Sequence, residues 1–395
     1  MERSLHPRDI LPFRSFRQAA PHISFVMVML FFSMYGRVLL SPLLVYIQEE
    51  LGIGPARATR LFLTISLAYS PVMLLSGFLG ARLVHRQTIA LSCAVIGLGL
   101  IVIALAPTLA WMHLGAAFAG SGAGLYPPAG VAAVTGIVRD EIRGKALALH
   151  EVGPNLAFVV APIVVSVAAL GVHWRWIPGV SGVAAVVVAG LFNRLSIAGW
   201  FRGAPPHLHN VKAILRKGEF WAILVFFSLA AASTMGVYAI MPTYLVTTRG
   251  YPVAMVNTVI SASRISGLVV VFLSGILLDR IGVRKLMITV IGLTGLLTIA
   301  VGVLSDAPLI VAVLLQPVII VAFFPAAVSA MADLGPPEMR NVAVSVMIPG
   351  VNIFAAGLFP ALMGYLTEIG AVEAGFVGLG AAMLASLVLT RLLDR

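Results

Sequence analysis

Charge is what this sequence has least of. Only 10% of its 395 residues are Asp, Glu, Lys or Arg, against about a quarter in a typical soluble domain. Acid is the scarcer sign: 15 acidic residues stand against 26 basic ones, a formal net charge of +11. A chain that is 60% hydrophobic cannot hide so much apolar surface in one aqueous core. Its long apolar runs exclude a soluble multidomain enzyme and make it an integral membrane protein. The basic excess does not imply nucleic acid, because the bases sit in short turns between those runs. The single cysteine, Cys93, excludes an internal disulfide and a cysteine metal cluster. The eight histidines show no metal-ligand spacing, so no metal and no cofactor is expected. Residues 1–20 are basic with scattered Leu, Ile and Phe, then run into a full-length span. They are read as a cytoplasmic segment along the membrane surface and not as a cleavable signal.

What the chain has in abundance is spans. Apolar stretches long enough to cross a bilayer fall at 22–46, 60–82, 87–106, 110–138, 146–170, 176–195, 219–246, 254–278, 285–304, 307–332, 342–366 and 371–391. With both termini inside, 20 of the 26 bases fall in cytoplasmic segments, four (Arg57, Arg60, Arg175, Arg249) fall outside, and Arg37 and Arg264 lie within spans. That bias sets the orientation and requires an even number of helices. The longest polar connection separates the sixth and seventh spans. It divides the chain into an N-terminal six-helix bundle (21–195), a cytoplasmic loop (196–218) and a C-terminal six-helix bundle (219–395).

The halves repeat each other. Ser76-Gly77 with Arg82 and Arg86 recurs as Ser274-Gly275 with Arg280 and Arg284, and Tyr126-Pro127 as Phe324-Pro325, both at an offset of 198. Arg143, Gly153 and Asn155 recur as Arg340, Gly350 and Asn352 at 197. Matches at nearly one offset imply a duplicated unit, as in many transporters.

The stretch Gly275-Ile-Leu-Leu-Asp279-Arg280-Ile-Gly282-Val-Arg284-Lys285 resembles the loop signature of the Major Facilitator Superfamily between its second and third helices, here in the second-half copy. In the first-half copy, Gly77 to Arg86, Ala81 replaces the expected Asp and Val84 the expected Gly. The resemblance covers almost the whole length. It implies an all-α fold of twelve transmembrane helices in two pseudo-symmetric bundles. It also implies substrate binding near the midplane, alternating access, and a monomer. It gives Asp279, Arg280, Arg284 and the Arg143 loop a gating role on the cytoplasmic side.

Several side chains inside the spans carry chemistry. A mid-span charge is costly and is usually kept for transport or ligand work. Arg37 shares a helix face with Ser33 and Ser41, and Arg264 shares one with Asn257 and Ser261. The guanidinium is always protonated and its planar fork suits a carboxylate or phosphate, so the pair reads as an anion clamp. Glu151 is the carboxylate placed well inside a span, in the fifth helix with Asn155 one turn on; with the neighbouring His150 it is the candidate proton carrier. Tyr126, Tyr238 and Asn352 are further candidate substrate contacts, with Tyr35, Tyr69 and Gln316 behind them. Gly120, Gly122 and Gly124 imitate a dinucleotide fingerprint, but no strand precedes them; they read as small residues for close helix contact.

The expected function is secondary transport of a small, monocarboxylate-like organic anion by alternating access, with proton coupling compatible. Buried arginines resemble the anion-binding arrangement of organic-anion branches of the superfamily. The alternative is an exporter of drugs or metabolites. The fifth helix departs from the Gly-Pro-x-x-Gly-Gly pattern of drug exporters, reading Gly153-Pro154-Asn155-Leu156-Ala157. The Arg-rich, Lys-poor composition suggests a bacterial inner membrane.

Overall fold

The structure, a computed structural model, describes residues 12–203, 215–332 and 346–393. Among these residues the only extended pairings are two isolated bridges, Phe13 with Val138 and Val84 with Arg202; the rest is helix and short turn. Twelve long helices follow in order. They are α1 (Phe16–Leu51), α2 (Pro55–Arg82), α3 (His85–Leu105), α4 (Leu109–Gly136), α5 (Asp140–Ala168), α6 (Trp176–Leu195), α7 (Gly218–Thr248), α8 (Val253–Ile281), α9 (Val283–Val303), α10 (Asp306–Ala327), α11 (Val346–Glu368) and α12 (Val372–Arg391). Ten of them have the length and apolarity to cross a membrane. The others, α4 and α8, are 28 and 29 residues long; α4 is diluted by glycine and by Pro127 and Pro128, which membrane helices tolerate.

The all-helical architecture is the one expected. The details differ at the start: α1 begins at Phe16, so residues 16–20 continue the first helix, with Pro21 in its second turn. Residues 1–11, 204–214 and Arg340 of the expected segments and repeat lie outside the described residues.

By contacts the chain divides into two compact units. One is Met1–Leu39, Leu67–Ala161 and His173–Pro206; the other is Leu40–Ser66, Pro162–Val172 and His207–Arg395. The boundary falls inside α1, α2 and α5.

In the first unit α3 packs against α4 and α6 through glycine. A Cβ on Gly97 would stand 2.6 Å from the Gly182 carbonyl, and one on Gly99 2.6 Å from the Gly115 carbonyl. Gly122 and Gly124 are equally close to backbone, facing the Ser92 and Tyr69 carbonyls. Small residues let helix backbones touch where lipid offers no hydrophobic drive. The chain after α6 returns to the turn before α3: His85 N donates to the Phe201 carbonyl at 3.0 Å, Arg86 N to Gly199 at 2.9 Å, and Gly203 N to Gly80 at 2.9 Å. The Arg86 guanidinium lies 3.4 Å from the Trp200 ring centroid, and the His85 ring meets Phe201 edge-on.

In the second unit the same glycine contact recurs. Gly295 of α9 faces the Gly380 carbonyl of α12, and Gly380 faces that of Gly295; both numbers are those of Gly97 and Gly182 plus 198. The C-terminal part of α1 and the N-terminal part of α2 belong to this unit. Ser41 Oγ donates to the Tyr238 carbonyl at 2.7 Å, and Ala56 N donates to Glu368 Oε2 at 3.1 Å. Among the described residues, three π-helical turns interrupt the unit's helices, at Ala232–Gly236 and Tyr244–Thr248 in α7 and Ile353–Leu358 in α11.

Candidate functional site

Three neighbouring helices of the second unit bring polar side chains into an apolar interior. On α8, Asn257, Ser261 and Arg264 lie four and three residues apart, so helical periodicity puts them on one face; all three are buried. Arg264 Nη2 donates to the Thr234 carbonyl at 2.9 Å, and its guanidinium carbon lies 5.1 Å from the Tyr238 ring centroid. From α10, Gln316 Nε2 donates to the Ser233 carbonyl at 2.9 Å and also meets the Ser233 hydroxyl. Ser233 and Thr234 are consecutive residues of the first π-helical turn. A π turn disturbs the regular carbonyl ladder and is found often at functional sites. Here its two carbonyls serve as anchor points for side chains from two other helices.

Tyr238, Met241, Ser263, Arg264, Val313 and Gln316 are among the residues lining a cavity of about 20 Å³ at this point. That is room for about one water molecule. Asn257 is 1% exposed, and among the described residues neither its Oδ1 nor its Nδ2 has a hydrogen-bond partner. A buried amide left dry costs about 1–3 kcal/mol, so this residue calls for a function. Asn352 is also buried and directly precedes the π-helical turn of α11.

In the first unit Arg37 of α1 is half-buried, its guanidinium 4.5 Å from the Tyr69 ring centroid. Tyr35 meets the Ser181 hydroxyl at 3.2 Å. Tyr126 is fully buried; its hydroxyl donates to the Val26 carbonyl at 3.0 Å and lies 2.8 Å from His150 Nε2. His150 Nδ1 in turn faces Glu151 Oε1 at 3.3 Å. Glu151 stands at a turn between the two helical pieces of α5, its side chain 60% exposed while His150 is 2% exposed. Asn155 Nδ2 is used within its own helix, donating to the Glu151 carbonyl at 2.8 Å.

The gating candidates sit at helix ends. Arg280 is exposed in the last turn of α8, Gly282 has φ +80°, and Arg284 is exposed in the first turn of α9; the Asp279 side chain lies outside what is described. Arg143 pairs with Asp140 in the first turn of α5.

The sequence missed two contributors. Thr234 is an ordinary hydroxyl residue in an apolar run and supplies only a carbonyl. The Tyr126–His150 bond joins residues 24 apart and depends on the register of α4 on α5. No local spacing rule announces either.

Comparison with known proteins follows the geometry. No curated protein matches the sequence. Solved structures do match in fold. A bacterial homolog of the human lysosomal transporter Spinster, in an inward-facing and occupied conformation, superposes with a TM-score of 0.72 at 14% identity, covering 96% of each chain. The nucleoside transporter NupG gives 0.78 at 14% identity, over 95% of this chain and 99% of that one. A POT family transporter in complex with a thioalcohol-conjugated peptide gives 0.79 at 16% identity, over 97% and 98%. The family model of the Major Facilitator Superfamily matches residues 26–320 and 250–395. The chain therefore belongs to the Major Facilitator Superfamily, as a multi-pass membrane transporter and not an enzyme.

Proposed function

We propose that this transporter moves a small organic anion, monocarboxylate-like in class, and that Arg264 is its principal contact. The carrying observation is the α8 face. A permanently charged, buried guanidinium shares that face with an amide whose donor and acceptor both lack partners among the described residues. A carboxylate with a neighbouring hydroxyl or carbonyl answers both: two oxygens for the arginine fork, and a polar group for Asn257. Ser261, Tyr238 and Asn352 are assigned supporting contacts. Arg37, with Asn155 and Tyr126, is assigned to anion handling on the first unit. Glu151, with His150, is assigned proton coupling, and Asp279, Arg280, Arg284 and Arg143 are assigned gating. The 20-to-4 distribution of bases supports an inner-membrane protein with both termini cytoplasmic, working as a monomer.

Since the cavity in the second unit admits about one water, substrate entry requires α7, α8 and α10 to part. Alternating access supplies such a motion.

The test is thermal stabilisation of the purified protein by mono- and dicarboxylates, phosphate esters, nitrate and lipophilic cations. Wild type is compared with Arg264→Ala and Arg264→Lys. A carboxylate should stabilise wild type, weakly stabilise the lysine variant and leave the alanine variant unmoved. Equal stabilisation of all three would remove Arg264 from the site. A response to lipophilic cations alone would replace the anion reading by drug export.

A further inference from the structure

In an α-helix each backbone N–H donates to the carbonyl four residues back. The first π turn of α7 departs from that ladder. Val237 N–H passes over the Ser233 carbonyl and donates to Ala232, five residues back. The Ser233 carbonyl has lost its helical donor in an apolar interior, where an unmet carbonyl is costly. Gln316 of α10 supplies the replacement: its Nε2 donates to that carbonyl at 2.9 Å. A carbonyl only accepts, so the NH2 end of the amide must face α7. Another helix backs this orientation. Thr298 of α9 gives its hydroxyl proton to the Thr294 carbonyl at 2.7 Å. Its oxygen, 3.4 Å from Gln316 Nε2, can then only accept.

The second π turn of the same helix is built differently. There Arg249 N–H passes over Leu245 for Tyr244, and the Leu245 carbonyl is met by backbone, the Tyr251 N–H at 3.0 Å. A side chain from another helix is therefore no general requirement of a π turn. At the first turn it stands one residue from the carbonyl that holds Arg264. Arg264 Nη2 donates to the Thr234 carbonyl at 2.9 Å. The ring of Tyr238, four residues further along α7, lies 5.1 Å from the guanidinium carbon, within cation–π range.

We propose that Gln316 is a positioning residue for Arg264: it holds the first π turn open, and the open turn presents the Thr234 carbonyl that orients the guanidinium. Without the Gln316 donor, the Ser233 carbonyl recovers a bond when Val237 N–H swings back to it from Ala232. The Thr234 carbonyl then turns along the helix axis toward the Tyr238 N–H, as the α register requires, and Arg264 loses its seat. A guanidinium held by one N–H and by one face has few orientations left, so an anion meeting its fork loses less entropy on binding. That consequence for binding rests on the reading of Arg264 as the anion contact; the seat itself does not.

The test reads Arg264 directly, without substrate. Full-length protein carrying guanidino-15N arginine is placed in lipid bilayers and followed by magic-angle-spinning NMR. The Arg264 signals are identified by their loss in Arg264→Lys. In wild type the two Nη nitrogens should give separate signals, because the carbonyl bond stops the guanidinium from rotating. In Gln316→Met, which keeps the length and loses the donor, they should merge into one averaged signal while the other arginine signals stay in place. Gln316→Asn, one methylene shorter, should do the same. An averaged signal in wild type would overturn the seat. Separate signals in either variant would overturn the role of Gln316, and so would failure of both variants to fold, since a positioning role leaves the fold intact. A second arm uses lactate as the probe, in uptake by proteoliposomes. Gln316→Met should raise KM about ten-fold with Vmax per folded protein unchanged, the mark of lost binding. A lower Vmax at unchanged KM would overturn positioning for binding. Absence of saturable lactate uptake by wild type would count against the anion reading, and the NMR result would still decide the seat.

Discussion

Asn257 is hard to explain by packing alone. An apolar residue of its size would fill the space without stranding a donor and an acceptor, at a saving of about 1–3 kcal/mol for each group left dry. Asn257→Leu is therefore expected to fold with thermal stability equal to or above wild type while losing about ten-fold in anion uptake, equivalent to about 1.4 kcal/mol. Normal uptake would reduce Asn257 to a structural residue. At this scale the sequence was informative where a residue type was out of place. Arg264, Asn257 and Ser261 stand on a common face of an otherwise apolar helix, and all three are buried. Tyr126 was a different matter. Its sequence context did not reveal that the Val26 carbonyl and His150 engage its hydroxyl. Which of two uses a tyrosine hydroxyl finds depends on which neighbouring helix reaches it.

The two copies of the loop signature show the same divergence at the level of elements. In the second copy Gly282 joins α8 to α9 at φ +80°, a region that L side chains enter only under strain. In the first copy Val84 is extended, at φ −70° and ψ 150°. Its turn is closed instead by residues 199–203 and by the Arg86–Trp200 stack. Replacing glycine by valine in the sequence thus reads as a degraded motif, yet the backbone found a different solution using residues more than a hundred positions away. The substitutions should respond unequally. Among the described residues a Cβ at Gly282 meets no atom within 4 Å, so Gly282→Val carries mainly the backbone strain, about 1–3 kcal/mol. Val84→Gly adds chain entropy worth about 0.5–1 kcal/mol. Equal losses in thermal or chemical unfolding would refute the asymmetry. The twelve helices themselves were legible because length and apolarity nearly suffice. Their ends were less so, as at α1, where nothing in Phe16 to Ala20 breaks a helix.

Across the whole molecule, duplication is the feature the sequence carried best. The offset of 198 that relates Tyr126-Pro127 to Phe324-Pro325 also relates the Gly97–Gly182 contact to Gly295–Gly380. Those glycines gave no signal by themselves among the 38 in the chain, because only the packing of one helix on another tells a contact glycine from an incidental one. A methyl group at Gly97 would lie 2.6 Å from the Gly182 carbonyl, and one at Gly182 2.6 Å from the Gly97 carbonyl. Gly97→Ala and Gly182→Ala are each expected to cost about 1–3 kcal/mol through overpacking. The double variant should cost less than their sum, since a seam once wedged apart admits the second methyl more easily. Strict additivity in thermal unfolding would mean that the seam does not act as one contact.

These seams also divide what can glide from what cannot. Two helices that meet through interlocked side chains can shift by a rotamer change, like gears with slack in the teeth. At Gly97–Gly182 and Gly295–Gly380 each backbone presses on the other with no side chain between to yield. Each welded pair should therefore travel as a plank during the transport cycle, leaving the bending to helices with π turns, α7 and α11 above all.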